Sequence, residues 1–490
     1  MKKRFKFAAA ALAAMLLTGS LAGCGGSGSK DYDFYIFSTK GESAEALEAA
    51  AKAYGEEKGV KVKVFSLGSG TNSDDTLRTE MNSKTPPTIF STASVNTLQE
   101  WKDSGKAMEL SKATNEEFKA LAEAVPEEFR LTTDGTDNYG IPYNVEGYGY
   151  IVDKTMLGDL FGEDKVDDIL ASFRTATYDE FAATLETLTA YIKEDKAGSV
   201  TLSGKTYALN PTKQGKAVNL EGTISMAGSQ KWTYGDQMLN MALDAVFPNA
   251  TAAMDATAEE VDELHGALVA YAKTVDDKSA NAIGTRGNEF INDTTYGYDA
   301  EVQNFADGKA VFIRQGNWAY PNILKANPDI VDNLTFIPVK MALQDSDVVA
   351  DGMSVEKINS SITVNVPFYY LINDKASDEE KEHAQDFLVW LNTTEAGQKF
   401  VTEDMAFIPY NADPATTTID NSLGASIVEY MNSDGVIPCT NIGAPNTWCT
   451  DIMGQMMMEK YMTKEVWTEQ DYEDIADYGI EQWKELKGLK

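Results

Sequence analysis

The chain has 490 residues, of which 43% are hydrophobic and 10% aromatic, a composition typical of globular proteins. At roughly 100–200 residues per domain, this length predicts two or three domains that can each bury a core. The 76 acidic residues outnumber the 42 basic ones and give a formal net charge of −34. Because phosphate backbones are bound by clustered Lys and Arg, this charge excludes nucleic acid as a partner.

The N-terminus has the successive parts of an export signal. Basic residues at positions 2–6 precede an apolar stretch from Phe7 to Leu17, which is shorter than the ~20 residues that span a bilayer. The following Leu21-Ala-Gly-Cys24 resembles a bacterial lipoprotein processing box, in which the cysteine becomes the acylated first residue. We predict a signal peptide over 1–23, lipidation of Cys24 and a flexible tether over 24–30. The alternative is an ordinary cleavage site beside a chance cysteine.

From residue 31 onward, patterns typical of strands and helices alternate. Apolar residues recur at the spacing of a helix face between Glu42 and Lys58, and they alternate with polar residues between Val60 and Phe65. In chain order we predict strand Tyr32–Phe37, helix Glu42–Lys58, strand Val60–Phe65, helix Ser73–Ser83 and strand Thr88–Ser91. This order predicts a parallel, doubly wound α/β sheet that binds ligands in the loops after its strands. The loops concerned are Ser38–Gly41 and Ser91–Val95.

The middle of the chain is rich in predicted helices. Their starts have a Ser or Thr followed three residues later by Glu, which is the pattern of a capping box. These starts are at Thr114, Thr177, Thr257 and Ser377. Strand-like runs return between Leu334 and Asn373.

The sequence is poor in the residues that most catalytic and metal sites use. His265 and His383 are the two histidines, and both lie in acidic helical segments, where we expect solvated surface side chains rather than oriented catalytic bases. Four closely spaced Cys or His ligands for zinc are absent. We therefore predict no catalytic residue, no metal and no cofactor. A glycoside hydrolase with paired carboxylates needs no histidine and remains an alternative.

Cys439 and Cys449 lie close together near the C-terminus. In an exported chain they can form a disulfide, and this is one prediction for the pair. Two buried free thiols are the alternative.

Four aromatic residues stand beside Gly or Pro turns at the ends of predicted elements. An aromatic ring in such a place can line a cleft and stack on the C–H face of a sugar. Core packing explains the same positions equally well, so both interpretations stay open. The four are Trp232, Tyr234, Trp318 and Trp448.

Several stretches, in this order and spacing, resemble the carbohydrate-binding group of extracellular solute-binding proteins of ABC importers, the group that includes maltose-binding protein. The resemblance extends over residues 31–490. It is carried by Asp33–Ser38, Tyr139–Gly147, Phe305–Lys309 with Gly316–Trp318, and Ala384–Leu391. It implies a type II periplasmic-binding-protein fold of two α/β lobes with a ligand cleft between them. Lobe 1 would take 31–145 and 366–412, and lobe 2 would take 146–365 and 413–490.

The resemblance also implies a set of ligand-binding residues. Thr39 and Lys40 match a loop in which the relatives have an Asp-Lys pair, so the aspartate is replaced by Thr39. Glu146 matches a glutamate that accepts hydrogen bonds from sugar hydroxyls. After the third predicted strand, the acidic residue and arginine of maltose-binding protein have no counterpart, and Thr92 is the candidate there. The aromatic candidates are Trp232, Tyr234, Trp318 and Trp448.

The implied function is that of a monomeric lipoprotein on the extracytoplasmic face of a bacterial cell membrane. It would capture a sugar, which we expect to be an oligosaccharide, by hinge closure and deliver it to two permease subunits and their ATPase. The protein itself would catalyse no reaction. The alternatives are the same fold binding a peptide, a polyamine or a metal chelate, and the exported carbohydrate hydrolase.

Overall fold

A computed structural model describes residues 30–68, 73–92, 95–126, 129–133, 136–405, 407–412 and 419–489. The predicted signal peptide, the lipidation site at Cys24 and the tether before Lys30 lie outside these residues. Within the described chain, no helix combines the length and apolar character that crossing a membrane requires.

The strands of the described chain form two main sheets and one hairpin. In chain order they are β1 Phe34–Ser38, β2 Val62–Ser66, β3 Ile89–Thr92, β4 Ile141–Pro142, β5 Glu146–Asp153, β6 Ser199–Leu202, β7 Lys205–Ala208, β8 Gly222–Ser225, β9 Ala310–Gly316, β10 Leu334–Ile337, β11 Ile362–Asn365, β12 Tyr369–Ile372 and β13 Val436–Ile437.

Helices cover both sheets. In chain order they are α1 Ala44–Lys58, α2 Ser73–Met81, α3 Val95–Asp103, α4 Glu116–Glu123, α5 Lys154–Phe161, α6 Val166–Thr175, α7 Tyr178–Glu194, α8 Leu239–Asp244, α9 Ala250–Met254, α10 Ala258–Asp262, α11 Leu264–Ala280, α12 Asp293–Tyr296, α13 Tyr298–Ala306, α14 Tyr320–Ala326, α15 Val355–Ser360, α16 Asp378–Thr393, α17 Glu395–Lys399, α18 Ser422–Asn432 and α19 Glu469–Lys487. The π-helical segments are Thr233–Met238, Phe400–Asp404, Trp448–Gly454 and Met457–Tyr461.

The first sheet has the order β2-β1-β3-β12-β4. Strand β1 pairs in parallel with β2 and with β3, which confirms the parallel order predicted for the first three strands. Strand β12 comes from much later in the chain and pairs antiparallel with both β3 and β4. The residues of β1 are all buried, as expected for a strand covered by helices on both faces.

The second sheet has the order β13-β11-β5-β9-β8, and β10 pairs with the second half of β5. Strand β5 is buried along its whole length. Its side chains alternate between two cores, because successive residues of a strand point to opposite faces. Tyr150 and Val152 pack into the core on one face, whereas Ile151 packs into the core shared with the first sheet.

Short segments carry the chain between the two sheets. Residues 143–145 connect β4 to β5, and residues 366–368 connect β11 to β12. The two segments lie side by side, since the Tyr143 amide donates to the Phe368 carbonyl at 2.9 Å. These two crossovers therefore lie at one place, next to the first residue of β5.

The predicted helix starts are mostly confirmed. Capping boxes are present at Thr177, Thr257 and Ser377. Helix α4 begins one residue later than the prediction, because Asn115 rather than Thr114 caps it. The Asn115 Oδ1 accepts hydrogen bonds from the amides of both Glu117 and Phe118, at 2.9 and 3.0 Å.

A lysine is buried in the loop after β10. Lys340 is 1% exposed, and its Nζ donates hydrogen bonds to the carbonyls of Arg174 and Asn359. Burial lowers the pKa of Lys340 to about 7, since neutral carbonyls only partly replace the water that the ammonium group loses.

The buried lysine predicts a pH-dependent stability. The pKa of an unfolded lysine is about 10.4, so between roughly pH 7 and that value the unfolded chain binds more protons and the free energy of unfolding rises with pH. We expect the free energy of unfolding of the unmodified protein to rise by on the order of 1 kcal/mol per pH unit across this window, and Lys340→Met to remove this rise. Urea unfolding at several pH values measures both proteins. Lys154→Met, at an exposed position in α5, is the matched control and should follow the unmodified protein. Parallel stability curves for Lys340→Met and the unmodified protein would contradict the prediction.

Candidate ligand-binding site

A buried ion pair lies where the chain passes between the two sheets. Lys40 follows β1, Glu146 begins β5, and the Lys40 Nζ donates to the Glu146 Oε1 at 2.6 Å. The two residues are 4% and 2% exposed. The Asn144 Nδ2 donates to the same carboxylate oxygen at 3.0 Å. The structure therefore brings together the two polar residues that the sequence singled out most strongly.

Two aromatic rings lie near the ammonium group of this pair. The Lys40 Nζ lies 5.1 Å from the ring centre of Phe368 and 6.0 Å from that of Trp318. Such distances allow the ring faces to attract the cation. The first sheet, the second sheet and the crossover between them each contribute a side chain here.

Trp318 belongs to a group of four rings that we call the aromatic cluster. The ring of Trp318 lies 6.0 Å from that of Tyr148 and 6.4 Å from that of Trp232, which in turn lies 6.2 Å from Tyr298. Tyr148 and Tyr298 are buried, whereas Trp232 and Trp318 are half-buried. The indole beside the buried ion pair and the indole next to it thus both keep part of their surface exposed.

The backbone before Trp318 is shaped to place its ring. The residue at the end of β9 is Gly316, where a Cβ atom would come within 2.1 Å of the Trp318 ring. Glycine is therefore required for the ring to lie against its own strand. The next residue, Asn317, accepts a hydrogen bond from the Gly147 amide at 3.1 Å and so fixes this turn to β5.

Both half-buried indoles have an internal partner for their N–H group. The Trp318 Nε1 donates to the Gln315 Oε1 at 2.9 Å, and the Trp232 Nε1 donates to the Gln230 Oε1 at 3.2 Å. These bonds fix the orientation of the rings. The ring surfaces are then the part of each tryptophan available for contact with a ligand.

The threonine candidates hold the loops of the first sheet together. Thr39, which is half-buried, donates through its amide to the Ser91 Oγ at 3.0 Å, and the two hydroxyls are 2.9 Å apart. Thr92 is 2% exposed, and its hydroxyl bonds to that of Thr97. Thr39 adjoins Lys40 directly, whereas Thr92 bonds to a residue of the first turn of α3.

The structure corrects the predicted placement of two aromatic candidates. Trp448 is fully buried, packs edge-on against Trp483 at 4.8 Å and donates its indole N–H to the Gly479 carbonyl at 2.8 Å. Tyr234 is 1% exposed and bonds through its hydroxyl to the Gly228 carbonyl at 3.1 Å. Both belong to the core of the second sheet, because that core supplies apolar neighbours for the rings and a carbonyl for each polar tip.

The possible disulfide is also corrected. Cys439 and Cys449 are free thiols, as in the alternative interpretation. The Cys439 Sγ bonds to the side chain of Asn441 at 2.9 Å, and the Cys449 Sγ lies 3.9 Å from the carbonyl oxygen of the same residue. Burial raises the pKa of both thiols, which keeps them protonated.

Neither histidine lies at this site. The His265 side chain is 41% exposed, with Glu473 and Asp477 at 3.3 and 3.4 Å, and His383 stacks on Phe34 with ring centres 6.4 Å apart. Among the described residues, no group of three or more His, Cys, Asp and Glu side chains is arranged to hold a metal ion.

Several neighbours of the ion pair and of Trp318 were not predicted from the sequence, and they include Asn144, Tyr148, Phe368 and Gln315. Tyr148 lies two residues after Glu146, so the alternation of β5 places both on the same face, and this period could have identified it. Phe368 and Gln315 carry no comparable local pattern.

The ion pair predicts a marked asymmetry between single and double substitutions. Lys40→Met leaves the Glu146 carboxylate buried without its cation, so we expect the free energy of unfolding to fall by roughly 3–5 kcal/mol. The double variant Lys40→Met with Glu146→Gln leaves no uncompensated charge, so its free energy of unfolding should fall clearly less. Urea unfolding measures both variants. Lys52→Met, which breaks an exposed pair with Glu56, serves as the control and should change stability by less than about 1 kcal/mol. A double variant as unstable as Lys40→Met would refute the argument.

Comparisons with known proteins agree with this architecture. A family model described as bacterial extracellular solute-binding protein matches residues 49–421. None of the curated protein sequences compared with the chain matches it significantly.

Several solved structures have the same overall fold at low sequence identity. RafE of Streptococcus pneumoniae, in complex with raffinose, is 16% identical with a TM-score of 0.59, over 93% of this chain and 99% of that chain. The GacH receptor of Streptomyces glaucescens, studied with acarbose, is 14% identical with a TM-score of 0.60, over 93% and 99%. A sugar transporter protein of Bacillus licheniformis in complex with stachyose is 13% identical with a TM-score of 0.58, over 92% and 99%. Because the family model matches more than half of the chain and the two-sheet fold agrees with these structures, the chain belongs to the bacterial extracellular solute-binding proteins.

Proposed function

We propose that the protein binds an oligosaccharide beside the Lys40–Glu146 pair and delivers it to an ABC importer. The observation that carries this proposal is the position of the half-buried indole of Trp318 next to that buried pair, with the half-buried indole of Trp232 beside it. Flat rings match the C–H faces of sugar rings, and charged groups form the stronger hydrogen bonds with hydroxyls. The similar structures described with raffinose, acarbose and stachyose support this class of ligand.

The proposal includes two lobes that close on the ligand. Lobe 1 comprises 31–145 and 366–412, and lobe 2 comprises 146–365 and 413–490. The short crossovers at 143–145 and 366–368 support these boundaries, because a change of backbone angles in a few residues can rotate one lobe against the other. Thr39 and Lys40 belong to lobe 1, whereas Glu146, Trp232 and Trp318 belong to lobe 2, so a sugar bound beside the ion pair would contact both lobes when they close.

The site favours a neutral ligand over the alternatives. Lys40 compensates the charge of Glu146, so the pair as a whole offers no net negative charge to a polyamine. In this proposal the protein binds the sugar and does not convert it. An exported hydrolase would release shorter sugars from an oligosaccharide, which chromatography of the incubated ligand detects.

A screen of the chain from residue 25 onward tests the proposal. We expect the melting temperature to rise with at least one oligosaccharide among raffinose, stachyose, acarbose and chitin fragments, and to stay unchanged with spermidine, because a ligand stabilises the state that binds it. With the sugar so found, Trp318→Ala should weaken binding by roughly 2–4 kcal/mol, or about 30- to 800-fold, in a calorimetric titration.

Trp448→Phe is the matched control, since Trp448 lies in the core away from the ion pair. It should lower the stability of the ligand-free protein and leave the affinity of the folded protein unchanged. Normal affinity in Trp318→Ala, or no response to any of the oligosaccharides, would contradict the proposed site or the proposed ligand class.

We also propose that Cys24 carries lipid and holds the protein, as a monomer, at the extracytoplasmic face of the membrane. There it would deliver its ligand to the two permease subunits, whose transport the ATPase drives. The basic, apolar and cysteine-containing segments at the N-terminus support this. At least two acyl chains are expected, because one chain binds a membrane only weakly. Cys24→Ala should move the protein from the membrane fraction to the soluble fraction or leave it unprocessed. Unchanged fractionation of this variant would disprove the anchor.

A further inference from the structure

A chain of hydrogen bonds runs from the Trp318 indole to a carboxylate inside the second lobe. The Trp318 Nε1 donates to the Gln315 Oε1 at 2.9 Å, and the Gln315 Nε2 donates to the Glu301 Oε2 at 2.6 Å. Gln315 is fully buried and Glu301 is 3% exposed. Gln315 belongs to β9 and Glu301 to α13, so the chain links two elements behind the aromatic cluster.

We propose that Glu301 is a positioning residue of the ligand site, which fixes the orientation of the Trp318 indole through Gln315. The importance of this orientation for a ligand rests on the proposed function, whereas the orientation itself does not.

The chemistry of the three groups allows one arrangement of the glutamine amide. An ionised carboxylate only accepts hydrogen bonds, and an indole N–H only donates. Between them, the Gln315 amide must turn its NH₂ group toward Glu301 and its oxygen toward Trp318. Without the carboxylate the amide can flip, and its NH₂ group would then face the indole N–H, which forms no hydrogen bond. Glu301 therefore selects the amide orientation that holds the indole.

Charged and polar groups from the neighbouring elements face Glu301. They are Lys278 of α11, Arg314 of β9, Tyr234 of the π-helical segment and the Ala227 amide. Burial raises the pKa of the Glu301 carboxyl to about 7, and the bond from Gln315 and the charges of Lys278 and Arg314 oppose this rise.

Arg314 links the groups around Glu301 to the backbone next to Trp232. Its Nη2 donates to the Thr233 carbonyl, directly after Trp232 in the chain. Glu301 is thus connected to the side chain of Trp318 through Gln315, and its neighbour Arg314 contacts the backbone beside Trp232.

The test observes the indole N–H signals by ¹H–¹⁵N NMR in the chain from residue 25 onward, which includes all the described residues, at a pH above the raised pKa of Glu301. The signal of Trp318 is the one lost in Trp318→Phe. We expect both Gln315→Leu and Glu301→Leu to move this signal to lower proton frequency and to speed its exchange with solvent deuterium about tenfold, as the loss of one hydrogen bond would.

Two variants distinguish positioning from a general effect on stability. Gln315→Glu places two carboxylates against each other and should displace the Trp318 signal. Adding Glu301→Gln restores one donor and one carboxylate, and the signal should return toward its original position. The indoles of Trp448 and Trp467, which donate to the carbonyls of Gly479 and Tyr461, are the internal controls and should not move.

The double variant with Gln315→Glu and Glu301→Gln is called the exchanged pair. An unchanged Trp318 signal in Glu301→Leu, or no recovery of the signal in the exchanged pair, would overturn the proposal. Should a leucine variant fail to fold, all the indole signals change together, and the exchanged pair then decides alone because it keeps the volume and the number of charges. No ligand is needed, so failure to bind any sugar would count against the proposed function and leave this result intact.

Discussion

The ion pair between Lys40 and Glu146 is the interaction on which the arrangement of the site depends. Two charges removed from water are costly unless each faces its partner at close range, and the 2.6 Å contact meets this condition. It joins the loop after β1 to the start of β5, and so connects the two sheets. Asn144 and Phe368, on the two crossover segments, complete the surroundings of the charges. The pair therefore holds the loop after β1 against the end of the first crossover segment.

Contacts within the second sheet position the rings of the aromatic cluster relative to this ion pair. Tyr148 shares a face of β5 with Glu146, and Asn317 binds the intervening Gly147 amide. Gly316 then lets the ring of Trp318 lie against its own strand, close enough to Lys40 for a contact between cation and ring. Each step is short-range, yet together they place an indole from residue 318 beside a lysine from residue 40.

The aromatic candidates show why similar sequence contexts led to different outcomes. Trp318 and Trp448 both follow Gly-containing turns at the ends of elements. Trp448 finds Trp483 and the Gly479 carbonyl, both supplied by α19, so its ring and its N–H group are satisfied inside the core. Trp318 bonds to Gln315 on its own strand and stays half-buried. The partner that buries Trp448 is distant in the chain, and no local pattern reveals it. The thiols of Cys439 and Cys449 differ from Trp448 in this respect, because both bond to Asn441, which is close to them in the chain.

The sequence by itself determined the α/β class, the parallel order of the first three strands and the capping boxes at Thr177, Thr257 and Ser377, because periodicity and capping are properties of neighbouring residues. Similarity to a family directed attention to Lys40 and Glu146. The tertiary structure decided that these two pair directly, that β12 enters the first sheet, and that Tyr234 and Trp448 belong to the core. These outcomes depend on which surfaces meet after the chain has folded, and the free energy of such contacts comes from burial between residues that are far apart in sequence.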